Sequence, residues 1–141
     1  MKIAICPGSY DPVTYGHLDI IKRSAVLVDK LIVTVFVNPS KKASLFSIEE
    51  RLDMLRETTK DIPNIEVDTS TGLLNVYAAS KNCHLLIRGL RAFSDFEYEF
   101  QRALMIKKID PTLETAFFMT DGRYSYLSST GVRELAYFNG D

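Results

Sequence analysis

The sequence predicts an α/β domain built on a doubly wound, parallel, five-stranded sheet. Three observations support this prediction. Short β-branched runs alternate with longer amphipathic stretches, no two runs are close enough to form a tight hairpin, and the 141-residue length suits one domain. Strands separated by helices pair in parallel through right-handed crossovers, so helices should cover both faces of the sheet. We therefore expect a single domain over residues 1–141.

The predicted strands are short and mostly apolar. Residues 31–37 are apolar at nearly every position, which is typical of a strand buried on both faces. The predicted strands are residues 2–6, 31–37, 64–68, 84–87 and 114–119.

Helix start signals lie between these strands. Ser47 and Glu50 form a capping-box pattern, in which each side chain reaches the backbone N–H of the other residue. Ser94 begins a second pattern of this kind, and Pro111 follows the end of that helix. The other predicted helices are residues 16–28, 72–81 and 129–138.

Composition excludes several classes of protein. With 17 Lys and Arg against 18 Asp and Glu, the net charge of −1 excludes an acidic disordered tail and a generally basic nucleic-acid-binding protein. No apolar run approaches the roughly 18 residues of a membrane span, and residues 1–7 lack the features of a signal peptide. Cys6 and Cys83 provide neither a disulfide framework nor a zinc set, and each is expected to be a small buried apolar residue. We expect a soluble, reduced, cytoplasmic domain.

Residues that follow the strands are the candidate site, because ligands of such sheets bind beyond the carboxyl ends of the strands. After the first strand, Gly8 permits close backbone approach and Ser9 supplies a hydroxyl. His17 lies in the first turn of the next helix, where free N–H groups and the positive dipole end attract an anion. The alternative is a strand-to-helix turn in which His17 only caps the helix.

Basic residues follow two further strands. Arg88 and Arg91 flank Gly89 after the fourth, and the guanidinium fork suits a phosphate group. Lys41 and Lys42 follow the second strand and are candidate phosphate ligands, although such a pair in a surface loop is ordinarily only solvated.

Hydroxyl side chains follow the fifth strand. Ser128, Ser129 and Thr130 can cap the last helix or, together with free N–H groups, hold phosphate oxygens. Four of the five loops thus carry phosphate-binding chemistry on one edge of the sheet, which predicts a site for a polyphosphate and a second anion. The expected chemistry is phosphoryl or nucleotidyl transfer by positioning and charge stabilisation, without a covalent protein nucleophile or a metal held by protein side chains.

Specific motifs lie in these loops. Residues 14–17, Thr-Tyr-Gly-His, resemble the (His/Thr)-x-Gly-His signature of the nucleotidyltransferase superfamily, and residues 128–133 resemble its Ser-Ser-Thr-x-x-Arg signature. Within that superfamily, residues 7–12, 40–42, 88–92 and 95–99 resemble the bacterial phosphopantetheine adenylyltransferases. The resemblance implies a Rossmann-like nucleotidyltransferase fold. Relatives usually continue into a further C-terminal helix, so that helix is expected to be absent or truncated here.

The resemblance implies an activity and its cofactor. These enzymes join ATP and 4′-phosphopantetheine to give dephospho-coenzyme A and pyrophosphate, the penultimate step of coenzyme A biosynthesis. The phosphopantetheine phosphate attacks the α-phosphorus of ATP in line, and Mg²⁺ is carried on the ATP phosphates.

The resemblance also implies roles for individual residues. His17 would contact the α-phosphate and stabilise the transition state, and Lys41 would assist it. The implied phosphopantetheine-binding residues are Ser9, Lys41, Leu74 and Arg88. The implied ATP-binding residues are Ser9, Tyr10, His17, Gly89, Leu90, Arg91, Glu99, Tyr124, Ser125, Tyr126, Leu127, Ser128, Ser129 and Thr130.

Partners follow from the same resemblance. It implies a homohexamer built from two trimers, and the wide apolar arc of the helix from Ser94 suits a subunit interface. Coenzyme A is an implied feedback ligand. Two alternatives remain open: a superfamily enzyme with another acceptor, such as a mononucleotide or a glycerol phosphate with CTP, and a non-catalytic nucleotide sensor on the same scaffold.

Overall fold

The sheet has five parallel strands in the order β3-β2-β1-β4-β5, which confirms the predicted fold class. The computed structural model describes residues 1–37, 44–91 and 93–120, without the side chains of residues 93–95. Its elements are β1 (Ile3–Gly8), α1 (Tyr15–Ala25), β2 (Lys30–Val37), α2 (Ile48–Thr59), β3 (Ile65–Thr71), α3 (Leu74–Ser80), β4 (Leu85–Leu90), α4 (Phe93–Ile109) and β5 (Glu114–Met119). The helix predicted over residues 129–138 lies outside the described residues.

Two apolar clusters cover the two faces of the sheet. Alternate residues of each strand point to opposite faces, so Ala4 and Cys6 join one cluster whereas Ile5 joins the other. Helices α1 and α2 pack on the first face, and α3 and α4 pack on the second. Both cysteines are buried and free, as predicted.

Strand β4 is longer than its apolar run predicts. The run ends at Ile87, but β4 continues to Leu90. Its extension pairs with β5, which places Arg88 opposite Phe117 and Gly89 opposite Phe118. The prediction that Arg88 lies in the loop after the strand was therefore wrong, because a non-local backbone ladder extends the strand through polar residues.

Two helices are shorter than predicted, for local reasons. Helix α1 ends at Ala25 because the side-chain amide of Asn64 donates to the carbonyls of Ala25 and Val28, at 2.8 and 3.1 Å, and so satisfies the end of the helix. Helix α3 begins at Leu74 because Gly72 has a φ of +88°, a left-handed conformation that no α-helix contains.

Helices α2 and α4 differ in their outer surfaces. Helix α2 carries exposed ion pairs such as Arg56 with Asp53 and Lys60 with Glu57. Helix α4 instead exposes large apolar side chains, namely Phe96, Tyr98, Phe100, Leu104, Met105 and Ile109. Within the described ranges, none of the helices is both long and apolar enough to cross a membrane.

Candidate active site

The centre of the sheet provides a crevice at its carboxyl edge. Strand β1 pairs with β2 along its whole length, from Ile3 to Gly8, whereas it pairs with β4 at Ile5 and Leu86, before either strand ends. The chain then leaves β1 towards one face and β4 towards the other. This is the reversal of strand order at which ligands of open α/β sheets bind.

His17 lies at this crevice and is fixed by the cap of α1. Thr14 is the N-cap residue, and its side-chain oxygen accepts a hydrogen bond from the backbone N–H of His17 at 3.3 Å. In return, the backbone N–H of Thr14 donates to Nδ1 of the imidazole at 2.9 Å. Because Nδ1 accepts this hydrogen bond, the proton of the neutral ring is on Nε2.

The surroundings of His17 keep the imidazole neutral. Burial, and then the nearby positive charge of Arg91, lower its pKa from 6.5 to about 4. At pH 7 His17 is therefore a neutral hydrogen-bond donor through Nε2. The sequence left its protonation state undecided.

Tyr10 packs against the imidazole and is itself strongly held. The edge-to-face contact places the two ring centroids 4.9 Å apart. The Tyr10 hydroxyl donates to the carbonyl of Cys6 at 2.9 Å, and the backbone of Tyr10 has a φ of +46°. Tyr10 is only 3% exposed, and its burial raises its pKa well above the usual value, so the phenol remains protonated. The ring thus shields His17 from water on one side.

Arg88 and Glu99 form a half-buried ion pair beside the crevice. Nη2 of Arg88 donates to Oε1 of Glu99 at 3.1 Å, and Nε contacts Oε2, which gives a two-point contact between β4 and α4. The side chains are 17% and 13% exposed, so the pair is shielded from bulk water. The positive charge of Arg88 also interacts electrostatically with Cys6 in β1 and with Tyr10 just after it.

Gly89 leaves room for close packing between α1 and β4. A Cβ at this position would lie 3.0 Å from Cγ1 of Ile20 in α1, closer than real Cβ atoms are normally found. The missing side chain therefore lets α1 approach β4, which brings the N-terminal turn of α1 and the end of β4 to the same crevice.

Similarity to known proteins agrees with this geometry. The chain matches the model of the cytidylyltransferase-like family over residues 5–135. It is 60% identical to the phosphopantetheine adenylyltransferase of Caldanaerobacter subterraneus subsp. tengcongensis, over 99% of this chain and 87% of that protein. The protein of the same name from Desulfosudis oleivorans is 56% identical, over 100% of this chain and 83% of its own length. The chain belongs to the phosphopantetheine adenylyltransferase family. This confirms the family, and the nucleotidyltransferase class of enzyme, that the motifs predicted.

The fold of this chain is shared more widely. A solved structure from Vibrio parahaemolyticus, provisionally named a nicotinate-nucleotide adenylyltransferase, superposes with a TM-score of 0.69 over 100% of this chain and 84% of that one. The two sequences are 16% identical, so the likeness concerns the fold alone. It supports the Rossmann-like nucleotidyltransferase fold.

The structure brings part of the predicted site together. Ser9, Tyr10, His17 and the end of β4 meet at the central crevice, and Glu99 joins them through Arg88. Leu74 begins α3 after β3, two strands from β1 in the sheet and so roughly 10 Å away across the strands. The remaining predictions, Lys41 and the segment from Tyr124 to Thr130, lie outside the described residues. Among the described residues, no group of three or more His, Cys, Asp or Glu side chains could hold a metal ion.

Two buried charged residues at this edge escaped sequence reasoning. Asp11 lies in the motif of residues 7–12 but no role was predicted for it, and Arg51 lies outside every motif. The signal for Arg51 was its place on the apolar stripe of α2, at helical spacing from Ile48 and Leu55. An arginine on such a stripe is buried only if its guanidinium finds partners inside the protein.

Proposed function

We propose that the protein transfers the adenylyl group of ATP to 4′-phosphopantetheine and releases dephospho-coenzyme A and pyrophosphate. A phosphate oxygen of phosphopantetheine attacks the α-phosphorus of ATP, and the bond from that phosphorus to the bridging oxygen of pyrophosphate breaks. The observation that carries the proposal is His17, held neutral with its proton on Nε2 in the first turn of α1 at the central crevice. The names of the relatives support the choice of substrates.

His17 would act as a hydrogen-bond donor to the α-phosphate. Negative charge accumulates on the oxygens of the α-phosphate as the attacking and leaving oxygens share the phosphorus. An Nε2–H that is fixed beforehand stabilises this charge without reorganising in the reaction. A neutral imidazole is too weak an acid to give up its Nε2 proton in the step, so the role is stabilisation rather than acid catalysis.

The N-terminus of α1 would add to this stabilisation. Its first turn contains no acidic residue, so no side chain of that turn neutralises the positive end of the helix dipole. An ATP phosphate at this position would accept hydrogen bonds from the free N–H groups of the first turn, as anions commonly do at helix N-termini.

The other predicted residues would divide between the two substrates. We assign the phosphopantetheine phosphate to Ser9, Lys41 and Arg88, with Leu74 contributing its backbone. Because Glu99 occupies Nε and Nη2 of Arg88, we assign the phosphate contact of Arg88 to its Nη1 edge. ATP would be held by Ser9, which both substrates share, by Tyr10, Gly89, Leu90, Arg91 and Glu99, and by the segment from Tyr124 to Thr130, with Arg91 and residues 128–130 on the β- and γ-phosphates.

We assign the divalent metal as Mg²⁺ carried by the ATP phosphates. Mg²⁺ retains several waters and is usually bound through substrate phosphates rather than by a cage of protein ligands. When bound, it would neutralise charge on the departing pyrophosphate.

The assembly would be a homohexamer in the cytoplasm, with coenzyme A as a feedback ligand. Support for an assembly comes from α4, where Tyr98 is 67% exposed and Met105 is 65% exposed beside other apolar side chains. A contiguous apolar surface of this kind is typical of an interface. Light scattering at micromolar concentration should report an oligomer, and a monomer would contradict this assignment.

The deciding experiment measures pyrophosphate release from Mg²⁺-ATP with 4′-phosphopantetheine or with nicotinamide mononucleotide as acceptor. We expect release with phosphopantetheine alone and a product mass equal to that of dephospho-coenzyme A. Release with the mononucleotide would establish a different acceptor. Release with neither acceptor, together with normal ATP binding by titration, would establish the nucleotide sensor instead.

A further inference from the structure

Asp11 and Arg51 are charged side chains buried at the carboxyl edge of the sheet. Asp11 is 4% exposed and Arg51 is 5% exposed. Neither belongs to the predicted substrate-binding set. Charges are rarely buried to this extent unless specific partners compensate for the lost water.

Asp11 joins two distant parts of the chain. Its carboxylate accepts hydrogen bonds from the backbone N–H of Leu45 at 3.1 Å and from that of Phe46 at 2.9 Å, one on each oxygen. The β1–α1 segment is thereby attached to the segment that leads into α2.

Arg51 makes the same connection in the opposite direction. From α2 its Nη1 donates to the backbone carbonyl of Ser9 at 3.0 Å. Its Nε and Nη2 lie 3.4 Å from the carbonyl of Ser47 and 3.5 Å from the hydroxyl of Ser44. One guanidinium therefore contacts Ser9 and two residues shortly before α2, Ser44 and Ser47.

We propose that Asp11 and Arg51 are positioning residues that hold Ser9, and with it the acceptor-phosphate contact of the β1–α1 segment, in a fixed place against the start of α2. The inference rests on the proposed function, in which Ser9 contacts the phosphate of 4′-phosphopantetheine. Arg51 holds Ser9 through its carbonyl, and Asp11 attaches the same segment to the backbone of Leu45 and Phe46.

The choice of charged groups supports positioning over simple filling of space. An apolar side chain would fill the same volume, but it would not set the direction of a backbone carbonyl or of two N–H groups. The loop also needs such control because Tyr10, next to Ser9, has a φ of +46°, a conformation that residues with side chains rarely adopt. Contacts on Ser9 and Asp11 hold this residue from both sides.

The test is a comparison of the two Michaelis constants in Arg51→Lys and Asp11→Asn. Lysine keeps the positive charge but cannot reproduce the three-point contact, and asparagine keeps the size but loses one acceptor. We expect the KM for 4′-phosphopantetheine to rise about tenfold or more in each variant, while the KM for ATP changes less than about threefold. ATP is less affected because most of its assigned contacts lie on β4 and on residues 124–130.

Matched controls lie on the same helix. Arg56→Lys and Asp53→Asn make the same chemical changes in an exposed ion pair of α2, and both should leave both KM values unchanged. If Arg51→Lys and Asp11→Asn retain parental values of both KM, or raise both KM values equally, the proposal is overturned. Loss of the folded state without a selective KM change also overturns it, since the contacts would then serve stability alone. An inactive parent enzyme would instead contradict the proposed function itself.

Discussion

The N-termini of α1 and α2 are built on the same plan but differ in charge. Each begins with a hydroxyl residue that caps the backbone N–H three residues later, and each receives a side chain in return. In α2 the returning side chain is Glu50, preceded by Glu49, so acidic groups of the chain complete the helix end. In α1 it is His17, and no acidic residue is present in the first turn. The cap of α1 thus adds no negative charge to the positive helix end, whereas the cap of α2 does.

Replacing His17 with the glutamate that caps α2 should have the largest effect of the predicted changes, a loss of reaction rate. In His17→Glu the carboxylate can still accept from the backbone N–H of Thr14, but the burial that keeps the imidazole neutral also disfavours a charged carboxylate, so the free energy of unfolding should fall by about 1–3 kcal/mol. The rate should fall by at least about a hundredfold, since roughly 3 kcal/mol of transition-state stabilisation is lost and a negative charge faces the phosphates. His17→Ala should lower kcat to a similar extent while changing ATP affinity less.

Steady-state kinetics and urea unfolding of the same samples make this measurement. The reciprocal control is Glu50→His on α2, which should retain the parental rate. A rate for His17→Ala within threefold of the parent would exclude the assigned role of His17.

The contributions of His17 and Glu50 to the free energy of unfolding should be lost in different pH ranges. Because the pKa of His17 is lowered from 6.5 to about 4 in the folded state, the unfolded chain binds the extra proton first as the pH falls. The associated stability is complete above pH 6.5 and is lost progressively down to about pH 4, by up to about 3 kcal/mol. The pKa of Glu50 is lowered by its hydrogen bonds with Ser47, so its contribution is lost only below its usual value of 4.5.

Urea unfolding at intervals between pH 7 and pH 4 tests this difference. His17→Gln should flatten the profile between pH 6.5 and about pH 4, because glutamine does not titrate. An unchanged slope in that variant would show that other groups cause the dependence.

Removing the capping hydroxyls should lower the free energy of unfolding by a smaller amount, and by the same amount for α1 and α2. Thr14→Ala and Ser47→Ala each remove one acceptor for a backbone N–H, at 3.3 and 3.1 Å respectively. Each variant should lose about 1 kcal/mol of unfolding free energy. Chemical denaturation measures both, and a difference above about 1 kcal/mol between them would show that the two caps are not equivalent.

The surface of α2 sets the lower limit of these effects. Oδ1 of Asp53 lies 3.3 Å from Nη1 of Arg56, and the two side chains are 74% and 55% exposed. Asp53→Asn should therefore change the unfolding free energy by less than about 0.5 kcal/mol. A larger loss on chemical denaturation would mean that the helix depends on this exposed pair.

Local signals predicted most of the fold. The strands follow apolar runs, and the capping box of Ser47 and Glu50 is confirmed in α2. The additional length of β4 could not be predicted, because the residues after Ile87 are held by pairing with β5, which is distant in sequence. The end of α1 also depends on a distant residue, Asn64.

The candidate site was predicted as far as its motifs extend. Residues 14–17 point to a histidine at a helix N-terminus, and the structure adds that the same imidazole caps the helix, so the two interpretations of His17 are compatible. Asp11 and Arg51 could not be foreseen from motifs, since their partners are backbone groups 34 to 42 residues away.

The contact between Gly8 and Tyr10 couples the two positions in evolution. A Cβ at position 8 would lie 3.1 Å from Cε2 of Tyr10, so the ring would have to shift by a few tenths of an ångström while its hydroxyl is held by the carbonyl of Cys6. The ring that would have to shift is the one that covers one side of the His17 imidazole. A side chain gained at position 8 should therefore act on the environment of His17 as well as on local packing.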